Sequence, residues 1–364
     1  MAERNNIYYW KCDRPSAFHA IERNSEVTTE SVKQEVDTLL THFFNSSDFE
    51  LTVGAGQGNH LTFKAKHHQK DYFIRIENGP EDDEYIEIES EVMKRVQGLG
   101  IPTPHIYAVD SSRTSYPFAY QIMECLEFSD LNEIYRNNQL DVLPVMHSLG
   151  KWIARWQKLT FEGFGAFNIG SFRKNGELIG LHNRYTDYFM LNLEKHLHFL
   201  VERQFINRDQ QKDICEEVRK QECFLNISHG TLVHKDIAFW NVMGNAHSIL
   251  SFIDWDDAIS GDTTDDISLM ACFHSAKEIN AMIDGYQTVN PLPCDFYPRF
   301  WLHLLRNMIV KSVIRVGAGY FSRNSNFFLF NPQYSNGVAF HDFTATRLNK
   351  ALEGLKGFKE IIEL

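Results

Sequence analysis

We expect neither an export signal nor a membrane anchor from this sequence. It contains no run of about 18 apolar residues, because the most apolar candidate, residues 300–316, is interrupted by basic side chains at positions 303, 306, 311 and 315. Residues 1–15 carry charges and aromatic rings but not the apolar core of a signal peptide. We therefore expect a cytoplasmic protein with no membrane partner, in which residues 300–316 form an amphipathic helix.

Paired cysteines and an excess of positive charge are also absent. The six cysteines are scattered without a Cys-x-x-Cys pair, which favours reduced thiols over disulfide bonds or a zinc site. The formal net charge of −12 argues against a nucleic-acid partner, because phosphates require a basic surface. The same negative charge is compatible with a cationic small-molecule substrate.

The length and composition of the chain predict a two-lobed globular protein. Its 364 residues, 43% of them hydrophobic, exceed what one core usually supports. Strand-like alternation dominates the first third of the chain, and helical periodicity dominates the rest. We place the boundary near Met123–Cys125, which predicts an N-terminal lobe of residues 1–124 and a C-terminal lobe of residues 125–364.

The N-terminal lobe begins with a predicted hairpin. A strand at 49–53 enters a glycine cluster, Gly54, Gly56 and Gly58, and residues 60–66 leave it with alternating apolar and polar side chains. The turn between them contains no bulky side chain at the three glycine positions. A flexible tip between two strands follows from this pattern.

One helix and three further strands complete the prediction for this lobe. The third strand places Arg75 between two isoleucines, and the helix ends at a Gly-x-Gly-Ile-Pro segment because proline lacks the amide that a continuing helix needs. The strands are predicted at 72–77, 106–109 and 118–125, and the helix at 84–98.

The C-terminal lobe is predicted to be mostly helical. An irregular insertion rich in Gly, Phe and Asn is expected at 161–183. The helices are expected at 143–158, 184–204, 210–221, 267–285 and 298–315.

The strongest chemical signal is a His-x-Asp-x4-Asn pattern followed by an acidic segment. It comprises His234, Asp236 and Asn241, with Asp254 thirteen residues further on. Each polar residue borders an apolar, strand-like run, and Gly244-Asn245 predicts a turn between the two runs. We therefore expect a hairpin that brings Asp236, Asn241 and Asp254 together.

These residue types suit phosphoryl transfer, in which the protein mainly positions reactants and neutralises charge. Asp236 would accept the proton of an attacking hydroxyl. Asn241 and Asp254 would supply oxygen ligands to Mg²⁺. His234 is a further catalytic-loop residue and would orient the loop by hydrogen bonding.

The segment from His234 to Ala258, together with 261–268, resembles the catalytic signature of aminoglycoside phosphotransferases and their choline-kinase and hygromycin-kinase-like relatives. The resemblance implies an α+β, bilobal protein-kinase-like fold: a small antiparallel N-terminal sheet with one helix, and a larger helical C-terminal lobe. It implies a transferase that uses ATP and Mg²⁺ to phosphorylate a hydroxyl of a small molecule such as an aminoglycoside, sugar or amino alcohol. Asp262 and Asp266 would belong to a structural segment after the metal site.

The resemblance also implies a nucleotide site in the first lobe. The amides of Gly54, Gly56 and Gly58 would approach the ATP phosphates, since a side chain there would hold the nucleotide off. Arg75 would contact the α- and β-phosphates, and Glu89 would be its partner on the helix. The hinge residues Met123 and Cys125 would complete the nucleotide site.

Lys235 departs from the family pattern, and the role of Asp256 stays open. Lys235 stands where the family usually has glycine or a small residue. Asp256 could join a second metal, face the substrate, or cap a helix. The aromatic residues between 320 and 334 could line the acceptor pocket, although packing is the stronger interpretation.

Three alternative functions fit parts of the pattern. A protein kinase would need an Ala-Pro-Glu segment after Asp254, and none follows before Gly261-Asp262 closes the region. A nucleotide-binding pseudokinase or regulatory module without turnover would tolerate loss of Asp236, Asn241 or Asp254, yet all three are present. A metal-dependent hydrolase would not need the glycine hairpin or Arg75. Nothing in the sequence identifies the acceptor.

Overall fold

The structure is a computed structural model that describes residues 4–15, 17, 25–54, 60–79, 81–323, 327–362 and 364, with the backbone alone for 25–31. The chain starts with two helices, α1 (Trp10–Asp13) and α2 (Ser25–Phe44). Helix α2 was not predicted. Its apolar residues pack on the first sheet, so two helices accompany this sheet instead of the single one expected.

The first sheet is antiparallel, with five strands in the order β1-β2-β3-β5-β4. Its strands are β1 (Glu50–Val53), β2 (Leu61–His67), β3 (Lys70–Glu77), β4 (Ile106–Asp110) and β5 (Ala119–Glu124). In β2 buried and exposed side chains alternate over most of the strand, as expected for a sheet with one face on the core. All five strands lie within two residues of their predicted bounds.

Helix α3 (Ile86–Gly98) connects β3 to β4. It ends where the sequence predicts, because Gly100 adopts a left-handed φ of 73° and the amide of Ile101 returns to the carbonyl of Val96. Pro102 then prevents the helix from continuing. Glu89 lies on the buried face of α3. There it accepts a hydrogen bond from Arg75 on strand β3.

The rest of the chain is mostly helical, with short strands between the helices. The helices are α4 (Leu131–Arg136), α5 (Val142–Trp156), α6 (Ile169–Asn175), α7 (Tyr185–Phe189), α8 (Leu193–Glu202), α9 (Arg208–Lys220), α10 (Asp265–Met270), α11 (Ala276–Gln287), α12 (Phe296–Gly317) and α13 (Gly337–Gly357). The strands are β6 (Ser129–Asp130), β7 (Thr160–Phe161), β8 (Phe164–Phe167), β9 (Gly180–His182), β10 (Gly230–Val233), β11 (Val242–Gly244), β12 (Ile249–Phe252) and β13 (Ile259–Gly261).

These short strands form two sheets that carry the catalytic pattern. One has the order β7-β10-β13-β8-β9, and the other has the order β12-β11-β6. The predicted hairpin is β11–β12, in which Val242 pairs with Phe252. Strand β10 delivers His234 to the same region.

Three predictions for this half of the chain are wrong in detail. The segment 161–183 is ordered into β8, α6 and β9, because β8 pairs with β13 nearly one hundred residues later and local sequence does not reveal that partner. The predicted helix 184–204 is two helices, α7 and α8, separated at Asn192 with a φ of 57°. The predicted helix 267–285 is likewise two, because Ser275 and Glu278 form a capping box that starts α11.

Helix α12 is not the amphipathic surface helix expected from its sequence. Every residue from Arg299 to Arg315 is buried, so its charged side chains must find partners inside the protein. None of the helices in the described part of the chain is long and apolar enough to cross a membrane.

Two apolar clusters support the fold. The smaller cluster joins α2 to the first sheet, and the larger one occupies the helical part of the chain. The larger cluster also includes Tyr8 and Tyr9 and the apolar face of α3. Strand β5 ends at Glu124, where the boundary was predicted, yet residues 7–12 pack with the second lobe. The division at residue 124 stays a proposal.

Candidate active site

The loop after β10 is held by the carboxylate of Asp266. That carboxylate accepts hydrogen bonds from the amides of His234 (3.0 Å) and Lys235 (3.1 Å) and from the indole of Trp156 (3.1 Å). Because Asp266 lies in the first turn of α10, these bonds fix the loop to that helix. Asp236 follows directly from this anchored segment.

The contacts of Lys235 show how a lysine is accommodated where the family pattern has glycine. Its φ is 68°, a left-handed conformation that favours glycine. The side chain is 2% exposed, and Nζ donates to Asp265 (2.7 Å) and to the hydroxyl of Tyr8 (3.0 Å). The buried ion pair with Asp265 therefore holds a lysine where glycine would be least strained.

Asp236 lies at the meeting point of the N-terminal segment and α12. Its Oδ1 accepts hydrogen bonds from the hydroxyl of Tyr9 (2.6 Å) and from Nζ of Lys311 (3.0 Å). Burial opposes the charge, but Lys311 and Tyr9 outweigh it and lower the pKa of Asp236 below its ordinary value. Asp236 is therefore a carboxylate at neutral pH, as a proton acceptor must be.

Asn241 connects Asp236 to the hairpin that carries Asp254. Its Nδ2 donates to the backbone carbonyl (2.8 Å) and to Oδ2 (3.2 Å) of Asp236. Its own backbone carbonyl accepts from the amide of Ile253 (3.1 Å), so the β11–β12 hairpin places Asp254 close by. With nitrogen engaged by Asp236, the amide oxygen of Asn241 is the atom left for a metal ion.

Asp254 itself has a left-handed φ of 65° and keeps 41% of its side chain exposed. Its Oδ1 lies 3.6 Å from Arg75 Nη2, beyond direct hydrogen-bond distance. The carboxylate is thus close to the basic residue of β3 but free to bind a ligand. A strained backbone at such a position is common in functional sites.

Arg75 pairs with Glu89, as the sequence predicted. The Nη1–Oε1 distance is 2.5 Å, and both side chains are buried. Burial opposes the positive charge of Arg75, but Glu89 and Asp254 raise its pKa above the ordinary value. Glu89 also accepts from the amide of Trp255 (3.2 Å), so α3 is attached to the acidic segment after β12.

Further carboxylates lie beside this pair. Burial, followed by repulsion from neighbouring carboxylates, raises the pKa of both Asp256 and Asp257 above the ordinary value. Asp256 lies 3.7 Å from Arg75 Nη2 and does not line the cleft described below. A divalent cation bound by Asn241 and Asp254 would relieve this excess of negative charge, and the oxygen donors are the kind Mg²⁺ prefers. The residues therefore fit a magnesium site.

A cleft of about 370 Å³ brings the predicted nucleotide residues together. Its lining includes Arg75, Glu89, Asn241 and Asp254, and Arg75 lies close to Asp254. The hinge residues Met123 and Cys125 also line it, with the apolar side chains Phe73, Met93, Leu126, Met243 and Ile253. A cleft lined by both charged and apolar side chains suits a nucleotide with phosphates and a flat base.

Of the three glycines in the predicted hairpin turn, the structure describes Gly54. Gly54 lies so close to Thr62 that a Cβ there would be 2.5 Å from its Oγ1, so the hairpin requires glycine at this position. Gly56 and Gly58 lie outside the described residues. Their predicted contact with phosphates stays a prediction.

His234 lines neither the cleft nor the smaller cavity beside Asp236. Its Nε2 lies 3.1 Å from the carbonyl of Ile253, and burial lowers its pKa below the ordinary value. The neutral ring therefore joins the catalytic loop to the residue before Asp254. This placement supports the orienting role and not proton transfer.

A smaller cavity on the other side of Asp236 contains residues that sequence analysis missed. Tyr9, Lys11, Lys311 and Arg315 line it with Asp236. Basic residues inside an otherwise apolar helix were the available signal for Lys311 and Arg315, four residues apart on one face. No local signal indicated Tyr9 or Lys11, because only the tertiary fold brings them to this site.

Comparison with protein families and solved structures agrees with this geometry. The model of the family described as "Phosphotransferase enzyme family" matches residues 51–297, which is more than half of the chain. Comparison with curated protein sequences finds no match.

Among solved structures, aminoglycoside phosphotransferase APH(4)-Ia is similar at 14% identity with a TM-score of 0.59, covering 88% of this chain and 98% of that chain. A thermostable mutant of that enzyme, solved as a ternary complex with ADP and hygromycin B, has 15% identity and a TM-score of 0.59, with 87% and 98% covered. A candidate fructosamine-3-kinase from Haemophilus somnus 129PT has 12% identity and a TM-score of 0.57, with 87% and 96% covered. The predicted protein-kinase-like α+β fold is confirmed.

Proposed function

The chain belongs to the phosphotransferase enzyme family and is a small-molecule kinase, and on that premise we propose how its own residues divide the work. The large cleft binds ATP. Asp236 accepts the proton of the acceptor hydroxyl, and the acceptor occupies the smaller cavity beside it. This assignment follows the residues predicted from the sequence and adds Lys311.

One observation supports the proposal most strongly: Asn241 lies between the two cavities. Its side chain lines the nucleotide cleft, while its amide nitrogen binds Asp236, which lines the smaller cavity. A phosphoryl group beside Asn241 in the cleft would therefore face a hydroxyl in the smaller cavity across this residue pair. Proximity of this kind supplies much of the rate enhancement in phosphoryl transfer.

The reaction balances with the groups present. A bond forms between the acceptor oxygen and the γ-phosphorus, and the bond from that phosphorus to the β-bridging oxygen breaks. The hydroxyl proton passes to Asp236, and ADP leaves with the electron pair. The ammonium of Lys311 keeps Asp236 ionised before the transfer.

Mg²⁺ would be held by Asn241 and Asp254 and would neutralise charge on the phosphates when bound. Arg75, fixed by Glu89, would contact the α- and β-phosphates, and His234 would keep the loop in place. Met123 and Cys125 would border the base. The acceptor is a small hydroxylated molecule, and a cytoplasmic location fits six cysteines that are all free thiols.

A coupled assay of ATP consumption with a panel of hydroxylated acceptors tests this proposal. We expect acceptor-dependent turnover by the wild type and a loss of about 10²- to 10⁴-fold in kcat for Asp236→Asn, with MgATP affinity unchanged. Asp213→Asn is the control, since Asp213 is an exposed carboxylate paired with Lys356. Normal MgATP binding without turnover on any acceptor would instead establish a nucleotide-binding module.

A further inference from the structure

The cavity beside Asp236 has a charge opposite to that of the whole chain. The chain carries −12, but the cavity is lined by three basic side chains, Lys11, Lys311 and Arg315, and by one carboxylate, Asp236. Local charge, not net charge, sets the field that a bound substrate meets. The cavity holds about 60 Å³, about four or five water-sized groups, so it would enclose the charged group and the reacting hydroxyl of an acceptor and not a whole sugar.

Arg315 is a cation of this cavity that forms no ion pair with a carboxylate among the described residues. It is 2% exposed, and its Nη1 donates to the hydroxyl of Thr344 (2.9 Å). In the part of the chain that the structure describes, no atom accepts a hydrogen bond from Nη2. The rings of Phe340 and Phe273 lie 4.6 and 5.5 Å from its Cζ.

Other buried cations of α12 differ from Arg315 in this respect. Arg299 forms ion pairs with Asp262 (2.8 Å) and Asp295 (3.1 Å). Arg306 donates to the backbone carbonyls of two residues in and after α7. A buried N–H group without an acceptor on a charged side chain is costly, and an anionic ligand in the cavity would remove that cost.

The two lysines strengthen the same argument. Lys311 is four residues before Arg315 and already pairs with Asp236. Burial opposes the charge of Lys11, but Tyr320 and Asp236 raise its pKa above the ordinary value, so it also stays cationic. A cationic acceptor would meet three like charges here, whereas an anionic group would meet complementary ones.

We propose that the acceptor is a hydroxylated acid, whose carboxylate or phosphate group binds Arg315 and Lys11 while its hydroxyl faces Asp236. This inference rests on the proposed kinase function and names the substrate class of the same site. It replaces the cationic acceptor that the net charge suggested. A guanidinium suits both anions because its paired N–H groups match two oxygens.

The test compares acceptors that differ only in charge. With saturating MgATP, the wild type is assayed on glucose, glucosamine, glucuronate and glucose 6-phosphate, and on the three-carbon series glycerol, 3-amino-1,2-propanediol, glycerate and glycerol 3-phosphate. We expect kcat/KM at least tenfold higher for anionic members of a series than for its neutral and cationic members. Comparison of the carboxylates, glucuronate and glycerate, with the phosphates, glucose 6-phosphate and glycerol 3-phosphate, then shows which anion the site prefers.

Arg315→Met is the decisive variant. We expect it to raise the KM of the anionic acceptor at least tenfold and to leave the KM of ATP unchanged. Arg347→Met is the matched control, because Arg347 is equally buried, donates to backbone carbonyls and lines neither cavity. An equal preference for neutral or cationic acceptors, or an anionic KM that Arg315→Met does not change, would overturn the proposal.

A binding measurement decides the case if no member of the panel is phosphorylated. Thermal stabilisation by glucuronate and glucose 6-phosphate, compared with glucose, is measured with saturating MgADP so that anions cannot use the nucleotide cleft. Anion-selective stabilisation that Arg315→Met abolishes supports the inference, and stabilisation without anion selectivity overturns it. Failure of the kinase function itself would appear separately, as absence of MgATP binding or consumption.

Discussion

The hydroxyl of Tyr9 donates a hydrogen bond to Oδ1 of Asp236 across 2.6 Å, although 227 residues separate them in the chain. Burial and the nearby carboxylate raise the pKa of Tyr9 well above its ordinary value, so the hydroxyl keeps its proton and donates it to Asp236, while its oxygen accepts from Nζ of Lys311 (2.9 Å). Lys311 donates to the same carboxylate oxygen. An acceptor hydroxyl must therefore compete with Tyr9 for this atom.

We expect Tyr9→Phe to lower the KM of the acceptor by about 2- to 10-fold, since one competing hydrogen bond of about 1 kcal/mol is removed. The KM of ATP should not change. Tyr8→Phe is the matched control, because Tyr8 is equally buried but its hydroxyl binds Lys235. Steady-state kinetics measure both variants, and a higher acceptor KM in Tyr9→Phe would show that Tyr9 helps to bind the acceptor.

Arg75→Ala should raise the KM of ATP by about 10- to 100-fold, because a charge-assisted hydrogen bond to phosphate contributes about 1.5–3 kcal/mol. It should also lower the free energy of unfolding by about 3–5 kcal/mol, since Glu89 would be left buried without its partner. ATP kinetics and urea unfolding measure the two effects.

The control for this change is Arg95→Ala. Arg95 pairs with Glu91 on the same helix, α3, but the pair is partly exposed and lies outside the nucleotide cleft. We expect a change below about 1 kcal/mol in stability and none in the KM of ATP. An unchanged KM of ATP in Arg75→Ala would remove the phosphate role from Arg75.

Asp254→Asn should increase the Mg²⁺ concentration needed for half-maximal activity at least tenfold, because a neutral amide is a weaker ligand than a carboxylate for a hard cation. Asp256→Asn serves as the comparison. Asp256 contacts Arg75 but does not line the cleft, so we expect a smaller shift. Titration of activity with Mg²⁺ measures both, and equal shifts would assign Asp256 a place among the metal ligands.

Glu278 gives the fold a defined dependence on pH. Burial opposes its charge, but His274 and the amide of Ser275 lower its pKa from 4.5 to about 2. A lowered pKa contributes stability that is present above about pH 4.5 and is lost as the pH falls towards 2. That shift corresponds to about 3 kcal/mol at neutral pH.

Glu278→Gln should therefore lower the free energy of unfolding at pH 7 by about 1–3 kcal/mol, and the difference from wild type should shrink by more than half by about pH 3. Urea unfolding at pH 7, 5 and 3 measures it. Glu353→Gln, which changes an exposed carboxylate paired with Lys356, should have little effect at any pH. A difference that does not vary with pH would argue against the lowered pKa.

The sequence by itself determined the parts of the site that are local in the chain. The His234-x-Asp236-x4-Asn241 pattern and Asp254 lie within about twenty residues, and one hairpin connects them, so spacing alone predicts that they meet. The pairing of Arg75 with Glu89 was predicted from the family resemblance, because the Gly-Ile-Pro segment that ends the helix fixes which glutamate matches the family position. The strands of the first sheet were predicted from the alternation of apolar and polar side chains, which is also a local property of the sequence.

Only the tertiary structure decided what surrounds Asp236. Tyr9, Lys11, Lys311 and Arg315 come from opposite ends of the chain, and no periodicity records that the N-terminal segment packs against α12. The buried position of α12 turned charges expected at the surface into charges that line the cavity beside Asp236. Sequence distance hides such contacts because burial depends on the sum of all neighbours, whereas turns and hairpins depend on a few adjacent residues.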